Sequence, residues 1–162
     1  MDEAARLKTL KGYGILDTPN EPEFDRLVSE MANTFFVRSA LVSFIDETRQ
    51  WYKARRGIEI DHVPRAISFC THSIGTDAVT VVPDARLDPR FSANPYVTSE
   101  SGVRFYAAAP IKAPDRARIG TVCIFDPVPR PTGMSERGQR QMAAFAADVL
   151  ELLERRRLRM AE

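Results

Sequence analysis

Apolar residues recur along this chain with two different periods. In "EPEFDRLVSEMANTFF" (21–36), Phe24, Leu27, Val28, Met31, Ala32 and Phe35 fall at i, i+3, i+4, i+7, i+8 and i+11, which places them on one stripe of a helix. Pro22 suits the first turn, where its missing N–H is not needed, and Glu21, Glu23 and Asp25 complement the positive end of the helix dipole. A second helical seam, Met142, Phe145, Ala146, Val149, Leu152 and Leu153, follows Ser135, a residue suited to an N-cap. Its first half reads as core packing, whereas "ERRRLRMAE" at its end has too few apolar residues to be buried alone. Residues 3–11 form a shorter helical candidate before "GYG" at 12–14.

Between these helices the pattern becomes that of strands. "ALVSFID" (40–46) and "QWYKARR" (50–56), with only "ETR" between them, predict an antiparallel hairpin. "VTVVP" (79–83) is a short strand stopped by proline, and "RFYAAAPI" (104–111) and "IGTVCIFD" (119–126) are two more, joined by "KAPDRAR". The stretches 57–80 and 84–102 are irregular, the second a long loop with room for a helical turn. Alanine is a poor strand former, so Ala107, Ala108 and Ala109 in a row imply that some element approaches the sheet closely on each face. Strands grouped as hairpins, not alternating with helices, favour an antiparallel α+β fold.

Composition narrows the class. A chain of 162 residues is expected to form one domain that buries ~70% of its unfolded surface. Its 44% hydrophobic and 28% charged content are ordinary for a globular protein. A net charge of +1 gives no field that would recruit nucleic acid or an acidic membrane surface. No apolar run approaches the ~20 residues of a membrane span, and "MDEAARLKTL" lacks the apolar core of a secretory signal, so a cytoplasmic location is expected. Cys70 and Cys123 make no disulfide framework and are expected as thiols.

Candidates for chemistry are few. "SFCTHSI" (68–74) sets Cys70 two positions before His72. On an extended strand the two share a face and the imidazole lowers the thiol's pKa; on a helix they point about 200° apart and do not couple. The segment has neither period, and the plain alternative is a space-filling cysteine beside a histidine satisfied by a carbonyl. A metal site would have to recruit Cys123 and His62 from distant elements, because no CxxC or HxxxH spacing exists. A second group joins "PDARLDPRFSANPYV" to "GVRFYAAAP", with Asp84, Asp88, Arg86, Arg90 and Arg104. Arg90 or Arg104 can hold a carboxylate or phosphate bidentately while Phe105 and Tyr106 wall a cavity, or the Arg–Asp pairs can simply tie a long loop to the sheet. There is no GxSxG, glycine-rich phosphate loop or HExxH, and no catalytic residue is named.

"YGILDTPNEPEFDRL", "ALVSFIDETRQWYKARRG", "SFCTHSI", "VVPDARLDPRFSANPYVTSESGVRFYAAAPI" and "IGTVCIFD", in that order and spacing, resemble bacterial GAF domains of the kind at the front of sensor histidine kinases and diguanylate cyclases. The resemblance spans roughly residues 6–155. It implies a five- or six-stranded antiparallel sheet, N- and C-terminal helices on one face, and loops and short helices roofing a pocket on the other. It divides the chain into a lead-in (1–20), a core (21–134) and a signalling and dimerisation helix (135–162). The function it implies is regulatory and not enzymatic: sensing an unknown small molecule in a signal-transduction protein of the two-component type. A homodimer through the terminal helices and an output kinase or cyclase domain are the expected partners, with no nucleic acid, no membrane and no named cofactor. The expected ligand-binding residues are Cys70, His72, Asp84, Arg90, Arg104, Phe105 and Tyr106. Bilin-binding members usually present Cys-His as neighbours, whereas here Thr71 intervenes. The branch that reduces free methionine sulfoxide works through cysteines, and Cys70 and Cys123 are those this chain offers. A ligand-free interaction module is expected if Phe44, Phe69, Phe105 and Tyr106 fill the cavity themselves.

Overall fold

The computed structural model describes residues 2–161, so Met1 and Glu162, the outer ends of the expected first and last segments, lie outside the described residues. Helix α1 (Glu3–Gly12) is capped by Asp2, whose carboxylate accepts the Ala5 N–H at 2.8 Å. Helix α2 (Pro22–Phe35) buries all six residues of its apolar stripe. It ends on Phe36 in the left-handed region (φ 53°), which leaves that ring 87% exposed. Helix α5 (Glu136–Met160) begins at Ser135, whose hydroxyl accepts the Gly138 N–H at 3.0 Å. No helix among the described residues is long and apolar enough to cross a membrane.

Six strands form one antiparallel sheet in the order β3-β2-β1-β6-β5-β4. They are β1 (Ser39–Ile45), β2 (Arg49–Arg56), β3 (His62–Pro64), β4 (Thr80–Val82), β5 (Phe105–Lys112) and β6 (Arg118–Asp126). Strand β3 lies where the sequence reads as a charged loop. It is an edge strand of three residues with only Val63 buried, too short to show a period, and the edge tolerates Pro64. Two short helices, α3 (Cys70–Ser73) and α4 (Pro95–Thr98), and single 3₁₀ turns at Arg65–Ile67 and Ala85–Leu87 organise the stretches that carry no periodicity.

The sheet separates two cores. Ala40, Val42 and Phe44 of β1 and Ala107 and Ala109 of β5 face α1, α2 and α5. Leu41, Ile45, Tyr106, Ala108 and Cys123 face a canopy built from α3, α4 and the connecting loops, beside edge strand β3. The small alanine side chains let α5 lie close on β5, while α3 approaches the same strand from the other side. Leu10 and Ile15 are wholly buried in the helix-side core, so the lead-in is packed into the domain. Gly120 is required where β6 crosses β1: a Cβ there would stand 2.1 Å from the Ser43 carbonyl oxygen.

The helix side also holds a buried ionic clamp. Between β1 and β2 the register slips at Val42/Ser43, leaving Lys53 as the extra residue of a β-bulge. Its ammonium is fully buried and donates to Thr18 Oγ1 (2.9 Å), Pro19 O (2.6 Å) and the Glu21 carboxylate. Arg156 of α5 donates to the same carboxylate at 2.9 Å and reaches the Tyr13 and Gly14 carbonyls. The polar second half of α5 is thereby fastened by charge, although Leu158 and Met160 stay exposed. Burial raises the Glu21 carboxyl, but the hydrogen bonds from Lys53 and Arg156 outweigh it and hold the group below the usual glutamate range.

Removing this carboxylate strands two buried cations. We expect Glu21→Ala to lose about 3 kcal/mol in urea unfolding at neutral pH. A group depressed in the folded state contributes stability above its unfolded pKa, about 4.3 for glutamate, and loses it as pH falls through the folded value. The wild type should therefore lose stability below that pH more steeply than Glu21→Ala; parallel acid limbs would remove Glu21 from the account.

Candidate functional site

Helix α3 decides the relation of Cys70 to His72. Its turn directs the Cys70 thiol inward, 1% exposed, and leaves His72 on the surface with its ring edge against Phe91 at 5.1 Å. The two do not pair. Cys70 instead meets Tyr106 of β5, whose hydroxyl lies 3.0 Å from the sulfur and 2.8 Å from Ser73 Oγ. Burial raises the Cys70 thiol, but its polar neighbours, Cys123 first, then Thr121, Tyr106 and Gln50, outweigh it and bring the group to about 7. Cys123, beside Cys70 and equally buried, is pushed well above the usual thiol range.

A polar chain runs beneath the canopy. The Ser68 hydroxyl donates to Gln50 Oε1 (2.6 Å), the Gln50 amide donates to Ser43 Oγ (2.9 Å), and Ser43 meets Thr121 at 3.0 Å. Beside it, Phe69 stacks on Phe91 (4.4 Å, 10°) and meets Tyr106 edge-on at 5.1 Å. These aromatic rings fill much of the interior and leave a mainly apolar cavity of about 80 Å³. Its sheet-side wall is Leu41, Gln50, Tyr52, Tyr106, Cys123 and Phe125; its canopy wall includes Ile60, Val63, Ser68, Phe69, Cys70, Tyr96 and Val103. Burial pushes the Tyr52 phenol well up, so it stays protonated.

Of the seven residues expected to hold a ligand, only Cys70 and Tyr106 border this cavity. Phe105 packs in the helix-side core, because adjacent residues of a strand face opposite ways. Phe44 lies there too, so neither fills the cavity. Asp84 accepts the Arg86 N–H and pairs with its guanidinium (3.0 and 2.7 Å), and Asp88 holds Arg90 in the same manner (3.0 and 2.8 Å). Arg104 is buried under the loop, where Nη1 donates to the Val97 and Val103 carbonyls and Nη2 to those of Ser99 (3.0 Å) and Glu100 (3.3 Å). Asp84, Arg90 and Arg104 are thus occupied in shaping the 84–103 loop. His62 sits on the edge strand against Asp61, and among the described residues no three His, Cys, Asp or Glu side chains gather to hold a metal. Gln50 and Tyr52 were not singled out from the sequence, although their shared parity on one strand was visible there.

A family model described as GAF domain matches residues 19–154. A curated relative, a cyclic di-GMP phosphodiesterase of Pseudomonas aeruginosa, is 36% identical over 149 residues; the match covers 92% of this chain but 25% of that protein, so the chain spans a quarter of its length. Among solved structures, the GAF domain of a phosphoenolpyruvate-protein phosphotransferase from Coxiella burnetii has a TM-score of 0.70 at 14% identity, covering 99% of this chain and 100% of that one. The free methionine-R-sulfoxide reductase of Neisseria meningitidis, solved with its substrate, has a TM-score of 0.64 at 16% identity, covering 100% and 95%. These findings correct the expectation of a regulatory domain that is not enzymatic: the curated relative is itself an enzyme, and the fold is shared with a reductase.

Arg104 bonds to backbone carbonyls, which no neighbouring side chain can replace. Arg104→Ala should cost about 2 kcal/mol and speed hydrogen exchange of amides 95–103. Arg104→Lys should recover little of this, because an ammonium lacks the planar fork. Unchanged exchange in both variants would show that the loop holds its shape without the guanidinium.

Proposed function

The chain belongs to the GAF domain family, and from that premise we propose that it is the small-molecule-sensing part of a signalling protein that hydrolyses cyclic di-GMP in the cytoplasm. The enzymatic half of the reading is supported by the curated relative's name. The sensing half is supported by one observation: consecutive residues of β2 face the cavity and the clamp. Tyr52 forms part of the cavity wall, and Lys53 on the opposite face binds the carboxylate that also holds Arg156 of α5. An occupant that displaces Tyr52 displaces Lys53 with it, and the clamp passes that displacement to the terminal helix.

The size and lining of the cavity indicate the ligand class. About 80 Å³ falls well short of the 300–1,000 Å³ typical of drug-sized ligands, so the occupant is small. With the hydrogen-bonding groups of Gln50, Tyr52, Ser68, Tyr96 and Tyr106 and the thiols of Cys70 and Cys123 among aliphatic and aromatic neighbours, and no charged side chain on the wall, it is neutral and largely apolar. Cyclic nucleotides fit neither the volume nor the wall.

Thermal unfolding of the chain with phenol, indole or a short-chain alcohol, and in parallel with cyclic AMP and cyclic di-GMP, tests this. A ligand at a hundredfold excess over Kd stabilises the folded form by about 2.7 kcal/mol. Stabilisation by at least one small neutral probe, lost in Val103→Trp, is expected. Stabilisation by a cyclic nucleotide that survives Val103→Trp would place recognition elsewhere. Signalling through α5 further calls for a homodimer, expected as twice the chain mass in light scattering at micromolar concentration; a monomer there counts against it.

A further inference from the structure

Cys70 and Cys123 come from elements far apart in sequence and meet on the canopy face of the sheet. Cys70 opens α3, and Cys123 lies mid-β6, paired in register with Leu41 and Ala108. Both are free thiols, each 1% exposed, both border the cavity, and α3 packs directly against β6. A buried cysteine alone is usually a packing residue. Two thiols on the wall of one small cavity, in one buried cluster, with the Tyr106 hydroxyl 3.0 Å from one of them, go beyond what packing requires.

We propose that Cys70 and Cys123 are a reversible redox site that closes to an intramolecular disulfide when a hydroperoxide enters the cavity. The Cys70 thiolate attacks one peroxide oxygen, the O–O bond breaks, and Cys70 becomes a sulfenic acid while hydroxide leaves and is protonated to water. The Cys123 sulfur then attacks the Cys70 sulfur; the S–O bond breaks, and the departing hydroxide takes the Cys123 proton as a second water. Two thiols lose two electrons in all, and one hydrogen peroxide is reduced to two waters. The roles follow from the surroundings: the Tyr106 hydroxyl, 3.0 Å from the Cys70 sulfur, can donate to a thiolate there and favours it, and Cys123 on the sheet below is the thiol that resolves the intermediate. Tyr106 holds the Cys70 sulfur in place. His72, on the surface, takes no part. The disulfide ties canopy helix α3 to central strand β6 at the cavity wall.

The test is intact-mass and peptide analysis of the reduced chain treated with hydrogen peroxide. The expected product is lighter by about 2 Da, the two hydrogens lost, and reverts with dithiothreitol. Digestion should yield a linked peptide pair carrying Cys70 and Cys123. The rate of formation should rise through a pH of about 7, with Cys70 as the titrating thiol. Cys123→Ala should stop at a Cys70 sulfenic acid trapped by dimedone, and Cys70→Ala should give neither adduct nor disulfide. Two thiols still open to alkylation after peroxide treatment, oxidation at Cys123 alone, or links only between separate chains would overturn the assignment. The wild-type peptide map gives this answer even if an alanine variant fails to fold.

Discussion

A single carboxylate, Glu21, stands between two buried cations brought by different parts of the chain, Lys53 from a strand and Arg156 from the last helix. An unpaired charge in such surroundings costs several kcal/mol, against a total stability of about 5–15 kcal/mol for a domain. The three groups must therefore assemble together or not at all. That requirement sets the path of residues 13–21, which wrap the end of α5 through the Tyr13 and Gly14 carbonyls and the Tyr13 hydroxyl bond to Glu154 at 2.6 Å. It also gives the bulge in β2 a purpose, since the extra residue there is the lysine.

The opposite face of the sheet follows other rules. The helix side is held by a broad apolar core, whereas the canopy relies on a smaller cluster, a chain of neutral hydrogen bonds and backbone carbonyls caged by Arg104. Its segments are short, two helices of four residues and strands of three, so none is stable by itself. Aromatic stacking between Phe69, Phe91 and Tyr106 joins them to the sheet. A face assembled in this way leaves space between its parts, and the cavity is that space.

How much of this was legible in the sequence depended on the length of each element. Helices α2 and α5 and strands β1, β2, β5 and β6 each run for seven residues or more, long enough for a period to show. Strand β3 and helix α3 are shorter than their own signals, so reading "IEIDHVPR" (58–65) as a charged loop missed the strand at 62–64, and the geometry of "SFCTHSI" stayed open. The site suffered differently. Phe105 and Tyr106 are neighbours on a strand, and alternation alone bars both from one cavity. Arg104 reads as a ligand anchor in the sequence, because the partners that in fact claim it are carbonyls, which every sequence supplies alike. Lys53 gave no sign of burial because its partner Glu21 belongs to another element.

The two proposals bear on the same walls in ways that physics keeps apart. A neutral occupant pushes outward between sheet and canopy and moves Tyr52, with Lys53 one peptide away on the other face. A disulfide pulls inward, drawing α3 toward β6. Strand β6 pairs with both β1 and β5, and α5 packs chiefly on β5, so tension there reaches the terminal helix without passing through the clamp. Sheet backbones transmit small displacements well because interiors are close-packed and bistable, not continuously deformable. Loss of the Glu21 carboxylate therefore separates the two inputs: it uncouples the ligand from α5 and leaves the thiol pair connected to it.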